Sequence, residues 1–301
     1  MNHVSVSPTH GTGPNLLMEL GSFPWSDLGP SENQVMATGT EYLQFLPVVL
    51  CLFALIAFIT AYGLAVQEKD VSALWPYISD AGAQPPQSCI FGQLLNLAAV
   101  IGFAIIFVHY HHVRESNITG LPLIQSLNYW SLWIGGLSCL GMSIVANFQV
   151  VNSLAVHMVG AIMIFALGMV YCWMQAIVSY KMRSQATSST LSSVTRFVLA
   201  FLVTVFLIIT FSAGTASVAA YTKHHKNATG VSRYEIKWKE TDDGYQAHLA
   251  STFSEWLMAF CFLVYFMTFF RELQKVALFI QVRPKNAEIF SPETQDDARV
   301  L

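Results

Sequence analysis

The 301-residue chain is 54% hydrophobic and only 11% charged, with a formal net charge of −3 and a pI near 6.3. An ordinary soluble domain carries about 25% charged residues, so the composition excludes a water-solvated globule and points to a membrane as solvent. The acidic balance also excludes the basic surface that nucleic-acid binding requires.

Residues 1–43 contain no Lys or Arg, so there is no positive n-region and no cleavable signal of the usual kind. This stretch is rich in Gly, Pro, Ser, Thr and Asn and has no sustained period, which predicts a disordered tail. A hydrocarbon core of about 30 Å takes roughly 20 apolar residues to cross. The first window that meets this, Gln44–Val66, reads as a retained signal anchor. Five more follow: Ile90–Val113, Leu127–Gln149, Leu154–Tyr180, Phe197–Tyr221 and Ala250–Phe270. The expected architecture is all-α, a polytopic six-transmembrane-helix bundle over residues 44–278, with a second disordered tail over 279–301.

Six crossings place both termini on one side. Lys and Arg number nine on that side and six on the other, and the positive-inside rule makes the richer side cytoplasmic. The sequon Asn227-Ala228-Thr229 lies in the fifth loop, on the opposite face, where N-glycosylation takes place. Both termini are therefore expected to be cytoplasmic and Asn227 is the glycosylation candidate. A second sequon, Asn117-Ile118-Thr119, would be cytoplasmic and unused; sugar there would invert the topology.

Cys51, Cys89, Cys139, Cys172 and Cys261 all lie within or beside spans, where cysteine serves mostly as a small apolar packer, and no disulfide is expected. No CxxC, HExxH, P-loop or GxSxG occurs, and nothing points to a catalytic residue, a metal or a cofactor.

Polar side chains are costly at membrane depth and mark interhelical pairing or a functional pathway. With this topology Gln93, Asn96, Asn147, Gln149, His157, His248 and Glu255 fall at the lumenal ends of four helices, with Asp80 in the loop above. Asn96, Asn147, Gln149, His157, His248 and Glu255 make a candidate lumenal polar layer. It has two readings: interhelical hydrogen-bonding glue, or a protonatable or lipid-headgroup site in which His157 and Glu255 titrate. At the cytoplasmic ends only His109, His111 and His112 stand out, and these fit a solvated helix terminus. A channel would want polar residues along the full depth of a helix, and a hydrolase would want a nucleophile beside a base; the pattern offers neither. Ser212, Ala216 and Ala220, spaced by four, predict a close-packing face on the fifth helix, and Gly160 and Gly168 suggest another on the fourth.

Several segments carry a family resemblance. "PYISDAG" with "CIFGQLLNLAA", then "LSCLGMSIVANFQ", "AVHMVGA", "VSYKM", "DDGYQAHL" and "EWLMAFCFLVYFMTFFRELQKVAL" occur in the order and spacing of the DRAM (damage-regulated autophagy modulator) family. The similarity runs from about Leu46 to Leu278 and is strongest to the second paralogue. The chain departs from the usual DTGTxPPE by lacking two threonines and the glutamate. The resemblance implies a six-span, non-enzymatic protein of lysosomal and late-endosomal membranes that modulates autophagy, with links to apoptosis. It implies as partners membrane lipids and proteins of the autophagy machinery. Distant members act in lipid remodelling, phosphoinositide signalling and phospholipid asymmetry, which implies as the alternative a lipid-handling protein of the plasma membrane.

The loop "PYISDAGAQPP" is unlike its oily surroundings. Pro76, Pro85 and Pro86 fix backbone angles, and Ser79-Asp80-Ala81-Gly82 predicts a turn held by the Asp80 side chain. Pro76, Tyr77, Asp80 and Gly82 form the loop motif. It is either a lid over the lumenal layer, with Trp75 and Tyr77 at headgroup level, or a rigid connector.

Overall fold

The computed structural model describes residues 42–72, 74–183, 188–224 and 238–276. Both expected tails, apart from Tyr42 and Leu43, and the Asn227 sequon lie outside these residues.

Among the described residues the protein is all helical: α1 Leu46–Gln67, α2 Ile78–Ala81, α3 Gln87–Ser116, α4 Pro122–Asn147, α5 Leu154–Ile162, α6 Gly168–Met182, α7 Thr190–His224, α8 Tyr245–Met267 and α9 Phe270–Leu273. A five-residue π segment, Met163–Leu167, joins α5 to α6 as one rod. Six continuous helical rods are long and apolar enough to cross a membrane. Several outrun their apolar windows, because a polar residue at a rod's end can still be solvated or paired. Thus α4 begins at Pro122, where a missing N–H costs nothing, and α7 has 35 residues, about 52 Å at 1.5 Å per residue.

The rods pack in chain order, α1 on α3, α3 on α4, α4 on α5 and α6, α6 on α7 and α7 on α8, and α8 returns to α1 to close a ring. Tail-soluble helices gain no hydrophobic drive from meeting each other, so close backbone approach and hydrogen bonds must hold the ring. On α1 the buried stripe is Leu50, Ala54, Ala57, Ala61 and Ala65, small residues that let α3 come near. A Cβ on Gly141 would lie 2.6 Å from Met163 Cβ, 2.7 Å from the Ile164 nitrogen and 2.8 Å from the Gly160 carbonyl oxygen; only glycine allows α4 to meet the π segment so closely. Outward-facing side chains such as Ile59, Val100, Trp133 and Ile208 are more than half exposed, as lipid-facing residues must be.

The stripe expected on α7 is corrected. Ser212 and Ala216 are exposed, and the buried positions are Ser193, Arg196, Leu199, Ala200, Val203, Thr210, Gly214 and Ser217. Small size alone did not identify the buried face; the three-and-four spacing of these residues does.

Phe45 before α1 and Phe270 in α9 meet edge to face at 6.1 Å, so the described chain starts and finishes at one end of the bundle, the terminal end. Residues 68–86, 148–153 and 238–244 lie at the other, the loop end.

Candidate functional site

At the loop end the 68–86 segment folds inward. Pro76, Tyr77 and Ile78 are buried, and α2 is a single helical turn. Three bonds fasten it to consecutive turns of α8. The Trp256 indole N–H donates to the Pro76 carbonyl at 2.8 Å, the Ile78 N–H donates to Glu255 Oε2 at 2.8 Å, and the Tyr77 hydroxyl donates to Ser251 Oγ at 2.7 Å. Ser251 Oγ passes its own proton to the Thr210 carbonyl at 2.6 Å, which ties α7 into the same chain of bonds. A Cβ on Gly82 would stand 2.6 Å from the Phe91 ring, so the turn lies flat on α3 only because Gly82 has none.

Backbone bonds close the turn, Gly82 N–H to the Ile78 carbonyl and Ala83 N–H to the Asp80 carbonyl. One detail differs from the sequence expectation. Tyr77 is only 3% exposed and belongs to the bundle interior rather than to a headgroup belt, because its hydroxyl finds Ser251 there. Trp75, 44% exposed, stays at the rim against Phe253 and Trp256.

The six expected layer residues share this end but form four groups. Asn96 and Asn147 make a reciprocal amide pair at 3.1 and 3.0 Å, with Ser143 Oγ donating to Asn96 Oδ1, on an outer seam between α3 and α4. Gln149 accepts from Asn152 Nδ2 within the short α4–α5 turn. His157 is buried, and its Nδ1 lies 2.8 Å from the Phe148 carbonyl; a carbonyl only accepts, so Nδ1 carries the proton. His248 sits between Trp238, stacked at 4.6 Å, and Tyr77, edge-on at 5.4 Å. Glu255, 7% exposed, holds α2.

His157 and Glu255 meet across a central cavity of about 130 Å³. Every one of the six rods contributes to its wall. Tyr77, Ser79, Thr210, His157 and Glu255 lie toward the loop end, and the rest of the wall down to Ile106 and Phe266 is mainly apolar, with Ser138, Cys139 and Tyr171 among it. Asn96, Asn147, Gln149 and His248 do not line it.

The terminal end overturns the expected asymmetry. His109 is 2% exposed rather than solvated, and its Nε2 is 2.8 Å from Glu272 Oε2. Arg196, 1% exposed, donates from Nη2 to the same oxygen at 2.9 Å and from Nε to Thr268 Oγ1 at 2.9 Å, while its guanidinium lies 4.4 Å over the Phe269 ring. This constellation joins α3, α7 and α9. Sequence reading missed it because Arg196 and Glu272 fall just outside the apolar windows and look like loop and tail charges. The available signal was that both stand within a turn of a span whose helical period continues through them.

A family model described as "Frag1/DRAM/Sfk1/Cwh43P N-terminal domain" matches residues 42–276. The chain belongs to this family. It is 37% identical over 244 residues to DNA damage-regulated autophagy modulator protein 2 of Rattus norvegicus, covering 79% of this chain and 86% of that one. It is 35% identical over 236 residues to DNA damage-regulated autophagy modulator protein 1 of Homo sapiens, covering 78% and 93%. To the human modulator of macroautophagy TMEM150B it is 40% identical over 138 residues, 45% and 57% of the two chains. No solved structure matches. The matched region contains all six spans, the α2 loop and the Arg196–Glu272–His109 constellation, and the chain is a multi-pass membrane protein.

Proposed function

We propose that this protein is a non-enzymatic membrane protein of lysosomes and late endosomes that modulates autophagy, with both termini cytoplasmic and the loop end lumenal. The observation that carries the reading is the near-complete coverage of relatives named as autophagy modulators. The site adds a working part: a lumenal loop fastened to α8 through Glu255, Ser251 and Trp256 that closes one end of an intramembrane cavity. A second reading, lipid handling with a plasma-membrane location as the alternative, is favoured by that same cavity, whose wall is mainly apolar and carries Tyr77, His157 and Glu255. Its working residues are His157 and Glu255; Asn96, Asn147, Gln149 and His248 support the helices around it. Lipids and proteins of the autophagy machinery are its partners.

The test is complementation. Cells lacking the protein are expected to show altered autophagic flux that the wild-type chain restores. Glu255→Ala is expected to reach the same membrane at the same abundance and fail to restore it. Full rescue by Glu255→Ala would remove the loop end from the function. A tagged protein resident at the cell surface, away from lysosomal markers, would replace the first reading with the second.

A further inference from the structure

At the terminal end a second pocket, of about 250 Å³, lies between the last turns of α3 and the first turns of α4. Its wall includes Tyr110, Val113 and Arg114 from α3 and Ile124, Gln125 and Asn128 from α4, and it contains no Asp or Glu. The apolar window of α3 ends at Val113 and that of α4 begins at Leu127, so the pocket straddles the level at which hydrocarbon gives way to headgroups. Tyr129 and Trp130, each about half exposed beside Asn128, are the ring side chains expected at that level.

Asn128 sets what the pocket can receive. It is 2% exposed, and its Nδ2 donates to the Tyr110 carbonyl at 2.8 Å. A carbonyl only accepts, so this bond fixes the orientation of the amide and leaves Oδ1 as its other end. Oδ1 is buried and has no hydrogen-bond partner in the protein, and a buried acceptor is destabilising until something donates to it. Arg114 does not: its Nε and Nη2 both donate to Glu115 Oε1, at 3.1 and 3.0 Å. That pair is exposed on both sides and therefore weak, Glu115 is not in the wall, and the guanidinium carries further N–H groups whose geometry matches a phosphate. The pocket thus joins a cation that favours a phosphate to an acceptor that requires a donor. A phosphodiester alone has no proton to give, and a plain alcohol has no charge for Arg114. A phospholipid head with an ammonium or a hydroxyl beyond its phosphate has both.

We infer that this pocket binds the head of one phospholipid, with its phosphate on Arg114 and an N–H or O–H of the head on Asn128 Oδ1. The site is separate from the central cavity, and it holds whether or not that cavity takes a ligand. It does not depend on which side of the membrane the terminal end faces, since both leaflets present phosphates at this level.

The experiment uses the full-length protein, purified in detergent and exposed to an equimolar mixture of phosphatidylethanolamine and phosphatidylcholine with identical acyl chains. The two share the phosphate and the net charge, and only the ethanolamine head has N–H groups. Lipid retained per protein after free lipid is removed is read by native mass spectrometry. Wild type is expected to retain the ethanolamine lipid about tenfold over the choline lipid, the ratio that one hydrogen bond to an otherwise unpartnered acceptor supports. Asn128→Leu is expected to bring that ratio toward one. Arg114→Gln is expected to lower the retention of both lipids and to leave the ratio in place, because the phosphate is common to them. Gln125→Trp fills the pocket from an exposed position on its wall; it is expected to remove the preference, and it serves if Asn128→Leu is not monodisperse after losing its bond to the Tyr110 carbonyl. Equal retention of the two lipids by wild type, or a preference that survives in a folded Asn128→Leu or Gln125→Trp, would overturn the site. Unchanged retention of both lipids by Arg114→Gln would overturn the placement of the phosphate. Excess glycerophosphoethanolamine, the same head without acyl chains, is expected to displace nothing; displacement would give the pocket to a soluble phosphate ester and overturn the lipid.

Discussion

Removing the Glu272 carboxylate exposes how strongly the terminal end depends on one buried charge. In Glu272→Gln the Arg196 guanidinium, 1% exposed, keeps its charge and loses its counterion at 2.9 Å. Two unit charges at that separation attract by about 6 kcal/mol at an effective dielectric near 20. Desolvating both offsets much of that in the intact pair, but the offset is not recovered when one partner is deleted, and a widowed buried charge costs about 3–5 kcal/mol. His109 Nε2 is left to share one neutral amide oxygen with Arg196. For a domain of this size each kcal/mol moves the melting midpoint by about 2–4 °C, so the variant is expected to melt roughly 6–20 °C below wild type. A thiol-reactive fluorophore reads this directly in detergent, because Cys139 and Cys172 are buried and become labelled only on unfolding. The pairwise control replaces both charges, Arg196→Met with Glu272→Leu, and is expected to melt above the single variant, since an apolar pair of similar volume is about neutral and only the partner of His109 Nε2 is then missing. Glu115→Gln, which breaks the exposed Arg114–Glu115 pair, is expected to change little. If Glu272→Gln melts with wild type, or if the double variant is worse than the single, Arg196 is not held by Glu272 and the account of this end is wrong.

Three further outcomes follow from particular contacts. Gly141→Val drives a side chain into the Met163 Cβ and the Ile164 backbone, where neither can yield, and is expected to cost at least the roughly 1–3 kcal/mol of overpacking; its yield of monodisperse protein in detergent should fall well below that of Ala161→Val. Gly82→Val pushes on the Phe91 ring and should lift the α2 loop, seen as faster cleavage within residues 68–86 by added protease, with α7 and α8 unaffected. Endoglycosidase should shift the mobility of wild type and of Asn117→Gln but not of Asn227→Gln; sugar on Asn117 would reverse the assigned orientation and place the cavity mouth in the cytosol.

The bundle was legible from hydropathy because a membrane span needs only length and oiliness, both local properties of sequence. Which face of a rod turns inward is not local. On α7 the small residues Ser212 and Ala216 face outward, while Arg196 and Thr210 face in; Arg196 does so because its partners Thr268 and Glu272 stand just beyond α8 and on α9. The polar layer illustrates the same limit. Depth along the membrane placed Asn96, Asn147, His157 and Glu255 at one end, yet azimuth divides them: the asparagines pair on an outer seam, and His157 and Glu255 look into the cavity.

The two ends also differ in what a substitution can do. At the terminal end the charges satisfy one another, and their loss is a loss of stability. At the loop end Glu255 accepts from the Ile78 N–H, a bond that a glutamine oxygen could accept as well, so Glu255→Gln should keep the fold and the α2 loop in place while removing the charge. Autophagic flux restored by Glu255→Gln but not by Glu255→Ala would assign the function to the loop's attachment; failure of both, with the loop still protected from protease in Glu255→Gln, would assign it to the carboxylate itself.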